Sequence, residues 1–200
     1  AHDASFGAGS GCGVGSASVV LPNGTTVAAL VVVNAVGSTV DPVTAELYAA
    51  RFGLEGEFPS LGRVSEHELA EARSRAASAG AALGLGPGLA TTIGVIATDA
   101  TLTKAQCAKV SGIGHDGMAR AIRPVHTMFD GDTLFTLATG ARGAEGAPDP
   151  MAFHALLDAA GDCVTRAIGH AMLSARSVQP PTGEIRSLRD AFPSAFADLT

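Results

Sequence analysis

Thr91 and Thr92 stand where a glycine- and proline-rich stretch, Gly84-Leu85-Gly86-Pro87-Gly88, gives way to the apolar run Ile93-Gly94-Val95-Ile96-Ala97. A hydroxyl at the junction of a pliable loop and a rigid strand can be presented to an amide carbonyl. In a self-cleaving hydrolase that carbonyl is first the chain's own. Farther on, Phe129-Asp130-Gly131-Asp132-Thr133 supplies two carboxylates one residue apart. Carboxylates facing the same way from one tight turn repel, so the pair needs a cation, a donor or a proton nearby. A freed amine on Thr91 would be such a cation. Asn34 ends an apolar strand, and a polar amide there must find partners or water. One use of it is donation to a developing oxyanion. The plainer readings are that Asp-Gly is turn chemistry and that Thr-Thr before a strand is β-propensity.

Other chemistries find less support. Glycine occupies every second position from Gly7 to Gly15. No GK[ST] follows, no strand precedes and no acidic residue sits at the expected distance, so a nucleotide loop is not expected. Of six histidines none pairs at metal spacing; His115 falls in a helix and His126 in the loop before Asp130. There is no GxSxG elbow. Three cysteines without a CxxC pair read as small buried thiols in a reducing compartment. Neither a metal nor a cofactor is expected.

The elements that must position these residues are legible in outline. A short strand over 18–21, the Pro22-Asn23-Gly24 turn and a strand over 25–34 predict a hairpin. The second strand is continuously apolar in its middle, which predicts cover on both faces. The glycine run before the hairpin reads as a loop or a close backbone approach rather than a strand. A further short strand is expected around 45–49. Ser65-Glu66-His67-Glu68 is a capping box opening a helix to about residue 83. A strand over 91–98 follows, then a helix over 104–122 capped by Thr103 and closed by Pro124, then a strand over 133–139. Asp149-Pro150 opens the strongest helix, with apolar residues from Met151 to Met172 at helical spacing. Pro180-Pro181 marks a turn before a short final helix. Hairpin first and helices later suit a layered α/β sandwich better than an open parallel sheet.

Composition bounds the rest. The 200 residues are 46% hydrophobic and 16% charged, with a net charge of −6. Scattered Lys and Arg make nucleic acid an unfavoured partner. The scarcity of charge predicts a homo-oligomer in which neighbouring subunits cover apolar faces. The apolar run from Val27 to Val33 is too short to span a bilayer, and no signal peptide is apparent, so no membrane association and a cytoplasmic location are expected.

Four ordered segments resemble the aminopeptidase–esterase family that includes the β-aminopeptidases and the nylon-oligomer hydrolases. Gly13-Val14-Gly15-Ser16-Ala17-Ser18 is similar to the family's glycine-rich entry to the first hairpin. Val33-Asn34-Ala35-Val36-Gly37 is similar to its asparagine strand end, Thr91-Thr92-Ile93-Gly94 to its processing site, and His126-Thr127-Met128-Phe129-Asp130-Gly131-Asp132-Thr133 to its acidic loop. The resemblance implies an αββα four-layer sandwich of N-terminal nucleophile type in one hydrolase domain, 1–200. A precursor would be cut into an α part, 1–90, and a β part, 91–200. Thr91 would be the nucleophile and Asn34 the oxyanion donor, with Asp130 and Asp132 orienting and tuning Thr91. Threonine with an Asp-Gly-Asp loop is closest to the nylon-oligomer hydrolases; the alternatives are an aminopeptidase or β-peptidase acting on short peptides, and an unprocessed, non-catalytic relative. The family's N-terminal portion is not matched, and Ala90 stands where the family has asparagine before the nucleophile. Ala90→Asn is therefore expected to promote cleavage between residues 90 and 91, read as the appearance of two fragments by intact-mass spectrometry.

Overall fold

The computed structural model describes residues 13–82, 90–179 and 184–199. The glycines before Gly13, Cys12, the Gly84–Gly88 loop and the Pro180-Pro181 turn lie outside them. Four strands form one sheet in the order β1 (Gly13–Val20), β2 (Thr26–Val33), β3 (Ile93–Thr98) and β4 (Thr133–Ala138). β1–β2 and β2–β3 are antiparallel, whereas β3–β4 is parallel. A parallel pair needs a crossover. Helix α2 (Lys104–Ala121) supplies it.

Helix α3 (Pro150–Ser174) lies across β1 and β2, beside α2, which covers β4. Both helices begin as expected. Thr103 accepts from Gln106 N–H while Gln106 reaches back to Thr103 N–H, and Asp149 Oδ1 accepts from Met151 and Ala152 N–H at 2.8 Å each. Each cap is worth about 1 kcal/mol. Helix α1 (Glu66–Ala82) starts at the anticipated Ser65–Glu68 box, to which Ser194 adds a further contact. A short α4 (Leu188–Ala191) follows near the end.

Three local expectations are corrected. The glycine run is strand from Gly13 onward, paired residue for residue with β2. The close approach is nevertheless real: a Cβ on Gly15 would lie 2.1 Å from the Ala167 carbonyl oxygen of α3, and one on Gly13 2.1 Å from that of Ala171. Glycine therefore lets β1 lie directly on the helix backbone. The segment 45–49 makes only a bridge between Val40 and Leu47 before a 3₁₀ turn, Tyr48–Phe52, because Ala45 sits at φ 57° and breaks the extended run. β2 is covered on one face only. Val27, Ala29, Val31 and Val33 are buried under α3, while Leu30 and Val32 are exposed.

That open side is shared by the whole sheet. The pairs Val14–Val32, Val32–Ile93 and Val95–Phe135 put exposed Val14, Leu30, Val32, Ile93, Phe135 and Leu137 on one face. The described residues thus make one sheet layer and one helix layer of an α/β sandwich.

One charged network is buried under β1. Arg166 of α3 donates from Nε and Nη2 to Glu57 at 2.7 Å each and from Nη2 to the Ser18 carbonyl at 3.2 Å. Both side chains are nearly inaccessible. Burial by itself would raise the Glu57 pKa. The Arg166 guanidinium, the Leu54 N–H and His170 outweigh it and hold the carboxyl at about 2. A carboxyl whose folded pKa is depressed stabilises the fold above its ordinary value of 4.5 and loses that contribution as pH falls from there towards 2. We expect Glu57→Gln to cost roughly 2 to 3 kcal/mol at neutral pH. The gap from the parent should shrink as pH is lowered below 4.5. Urea midpoints of both proteins across that range check this.

Candidate functional site

The ladder between β3 and β4 does not stop at the named strand ends. A parallel bridge joins Ala90 to Asp130, so the register that pairs Ile93 with Thr133 sets Ala90, Thr91 and Thr92 beside Asp130, Gly131 and Asp132. Ala90 N–H donates to Phe129 O at 3.0 Å, Gly131 N–H to Ala90 O at 2.8 Å, and Thr133 N–H to Thr92 O at 3.0 Å. On the other side, β2 pairs Val32 with Ile93. Continued by two residues, that register sets Asn34 opposite Thr91. All four residues anticipated from the sequence therefore meet at one end of the sheet.

Alternation separates them by face. Thr91 and Asn34 fall on the open side with Ile93 and Val32, and Thr91 is exposed. Its Oγ1 donates to the carbonyl of Ala90 at 2.7 Å, the peptide whose cleavage would free its amine. Thr92 and Asp132 fall on the helix side, Thr92 buried and the Asp132 side chain nearly inaccessible.

The donors that two carboxylates one residue apart were expected to need are present, and each carboxylate has its own. Asp132 Oδ1 accepts from Thr92 N–H at 2.9 Å, and Oδ2 lies 2.8 Å from His126 Nδ1. Asp130 Oδ1 accepts from Val36 N–H at 3.1 Å, and Oδ2 accepts from Thr127 N–H at 3.0 Å and from Thr127 Oγ1 at 2.6 Å. Asp130 thus ties the segment after Asn34 to the acidic loop. Asp132 fixes the backbone one residue after Thr91.

Two residues were not foreseen as part of this arrangement. Thr92 is its hub: its N–H holds Asp132, its carbonyl accepts from Thr133, and its hydroxyl accepts from Asn34 N–H at 3.3 Å. Alternation could have found it, since a polar side chain inward of a strand is unusual. His126 is the other. It contacts Asp132 on one side, and its Nε2 lies 3.2 Å from His115 Nδ1 of α2. Burial lowers the pKa of His115, and the neighbouring His126 lowers it further, against the pull of Asp132 and Asp116. No local sequence signal joins residues this far apart. Among the described residues no group of three or more His, Cys, Asp or Glu could hold a metal ion, and no helix is long and apolar enough to cross a membrane.

Residues 5–186 match peptidase family S58. The chain belongs to this family. It is 42% identical over 192 residues to uncharacterised aminopeptidases of Mycobacterium tuberculosis and Mycobacterium leprae, matching 92% of this chain and 53% and 49% of theirs. It therefore spans about half the length of these relatives. Among solved structures it is similar to a Burkholderia β-aminopeptidase, at 23% identity and a TM-score of 0.54, over 92% of this chain and 49% of that one. It is also similar to the L-aminopeptidase D-Ala-esterase/amidase of Ochrobactrum anthropi, at 16% identity and a TM-score of 0.57, over 98% and 50%. The latter is described as a prototype for the serine aminopeptidases and a variant of the Ntn hydrolase fold. The fold of the chain is thus of the N-terminal nucleophile hydrolase type.

Gly131 is the close point between the acidic loop and Thr91. A Cβ there would lie 2.8 Å from Thr91 Oγ1, closer than real Cβ contacts come, so the hydroxyl would have to move. Because the clash is with a side-chain end and not with backbone, Gly131→Ala is expected to leave the urea midpoint nearly unchanged. The Thr91 hydroxyl should lose its bond to the Ala90 carbonyl, read as a shift of the Thr91 methyl resonance in NMR spectra.

Proposed function

We propose that this chain carries the catalytic centre of an amide-bond hydrolase of aminopeptidase type, with Thr91 as an N-terminal nucleophile released by cleavage after Ala90. The observation that carries it is the convergence of an exposed Thr91, Asn34 and the Asp130–Asp132 loop at one sheet end in a chain of family S58.

A freed amine on Thr91 would have a pKa near 8, so part of it is neutral at pH 7 and can take the proton of its own hydroxyl. The oxygen then attacks the substrate carbonyl, and an acyl-enzyme forms as the amine product leaves. Asn34, on the same face, donates to the oxyanion, an interaction worth roughly 3 kcal/mol at comparable sites. Water releases the acid. Asp132 acts through Thr92 N–H and Asp130 through Val36 N–H, so both carboxylates hold backbone in place around the nucleophile. Nothing in these steps calls for a cofactor.

Short peptides and aminoacyl amides are the first substrate class, in keeping with the aminopeptidase relatives. Linear amide oligomers of the nylon type are the second, because threonine and an Asp-Gly-Asp loop stand at the site. The exposed apolar side of the sheet supports burial against further protein, and homo-oligomerisation in the cytoplasm belongs to the same proposal.

Thr91→Ala should abolish turnover while the fold, by circular dichroism, is retained. An intact chain with no turnover on either substrate class would instead identify a non-catalytic relative. Asp130→Asn and Asp132→Asn should each lower kcat at least about tenfold per folded molecule and move the pH profile. If both carboxylates serve only the turn, stability falls and the rate per folded molecule does not.

A further inference from the structure

The Asp132 side chain is 2% exposed, and a carboxylate that deep requires more than the single backbone N–H of Thr92. Its second oxygen is met at 2.8 Å by His126 Nδ1, and the far nitrogen of that ring is met at 3.2 Å by His115 Nδ1. The two rings meet edge to face with centroids 4.7 Å apart. A continuous line of polar atoms therefore runs from α2 through His126 and Asp132 to the backbone beside Thr91. His126 also occupies a left-handed backbone conformation, φ 55°, which is uncommon for a residue with a Cβ. Such conformations persist where surrounding contacts over-determine them.

We propose that His126 is a positioning residue of this site: its Nδ1–H holds Asp132, and through Thr92 it holds Thr91, while His115 fixes which nitrogen of His126 carries the proton. This rests on Thr91 being the nucleophile. The proton logic follows from the acceptors. An ionised Asp132 can only accept, so His126 Nδ1 must donate. In neutral His126 the remaining Nε2 is then an acceptor, and His115 Nδ1–H fills it. If one proton is added to the pair, it still has a hydrogen-bonded arrangement. A second would set two N–H groups against each other across 3.2 Å. The charged groups facing the pair are Asp132 from the loop before β4 and Asp116 on α2 itself. Partial burial and the neighbouring His126 both lower the pKa of His115, which disfavours that second proton.

Three substitutions separate donation from backbone shape. His126→Gly accepts the left-handed conformation without strain but offers no side-chain donor. His126→Asn tolerates the same conformation and can put an amide N–H near the place of Nδ1. His126→Gln puts its donor too far out. We expect kcat of the Gly and Gln variants to fall about tenfold or more, KM to stay within about twofold, and the Asn variant to return within about threefold of the parent. A Gly variant with parental kcat, or an Asn variant no better than Gly, overturns the proposal. Long-range ¹H–¹⁵N correlation spectra of the full protein at neutral pH supply a readout independent of turnover. His126 is expected as the Nδ1–H tautomer, shifting towards Nε2–H in Asp132→Asn or His115→Phe. An Nε2–H tautomer in the parent overturns it. The two failures are distinguishable: an active Thr91→Ala protein removes the hydrolase mechanism while leaving the tautomer measurement intact, whereas a dead Thr91→Ala protein beside a fully active His126→Gly protein removes this inference alone.

Discussion

The arrangement depends on β3 being paired on both edges and in opposite senses. Its antiparallel register with β2 fixes where Asn34 lies, and its parallel register with β4 fixes where Asp130–Asp132 lies. Because side chains alternate along a strand, a slip of one residue in either ladder would send Thr91 to the helix side or move the carboxylates off Thr92. The ladders are held by burial on one face. Val27, Val31 and Ile96 lie wholly under α2 and α3, and a slip would turn them to solvent. Packing of the helix layer is thus what sets the position of the site, although neither α2 nor α3 supplies any of its four anticipated residues.

The same alternation divides labour across the sheet. Groups proposed to meet substrate, Thr91 and Asn34, are on the open side. Of the groups that hold them, Thr92 and the Asp132 side chain are on the packed side, where water competes less for their hydrogen bonds, and His126 reaches Asp132 from the exposed loop. Bonds from Asp130 and Asp132 to backbone N–H groups connect the segments after β2, before β3 and before β4 into one unit. Such a unit gives the Thr91 side chain a defined direction without contacting its oxygen. Gly131 then permits the loop to come against the Thr91 hydroxyl, so the acidic loop is close enough to shape the site sterically as well as electrostatically.

Buried charge is used twice and in two ways. Glu57 and Arg166 form a two-point pair with every strong donor directed at the carboxylate, and its position under β1, far along the chain from the acidic loop, marks it as an anchor for the loop after the 3₁₀ turn. Asp132 instead faces a neutral-capable histidine and a backbone N–H. The first arrangement keeps its charge state over a wide pH range. The second depends on which ring nitrogen of His126 carries the proton.

Much of this was legible in the linear chain. The Asn-Gly hairpin, the caps at Ser65, Thr103 and Asp149, the apolar periodicity after Pro150, and the positions of Thr91, Asn34, Asp130 and Asp132 follow from local rules, because turn, cap and amphipathic preferences act within a few residues. The fold class followed from the order of those elements, and the family resemblance added what order alone could not. What distant pairing alone decides was not legible. Gly13 and Gly15 read as breakers until the backbone of α3 is laid against them. The continuous apolar run of β2 foretold two covered faces, yet hydrophobicity states only that a face can be buried, not which partner buries it. Asp130 and Asp132 looked like a repelling pair because their donors, Val36 and Thr92, come from other strands. Thr92 and His126 were in view, but their hydrogen-bonding roles were not, for the same reason: a hydrogen bond's worth depends on what stands opposite. Sequence determined the elements and the reactive residue types; the two registers of β3 decided which of those residues meet and on which face.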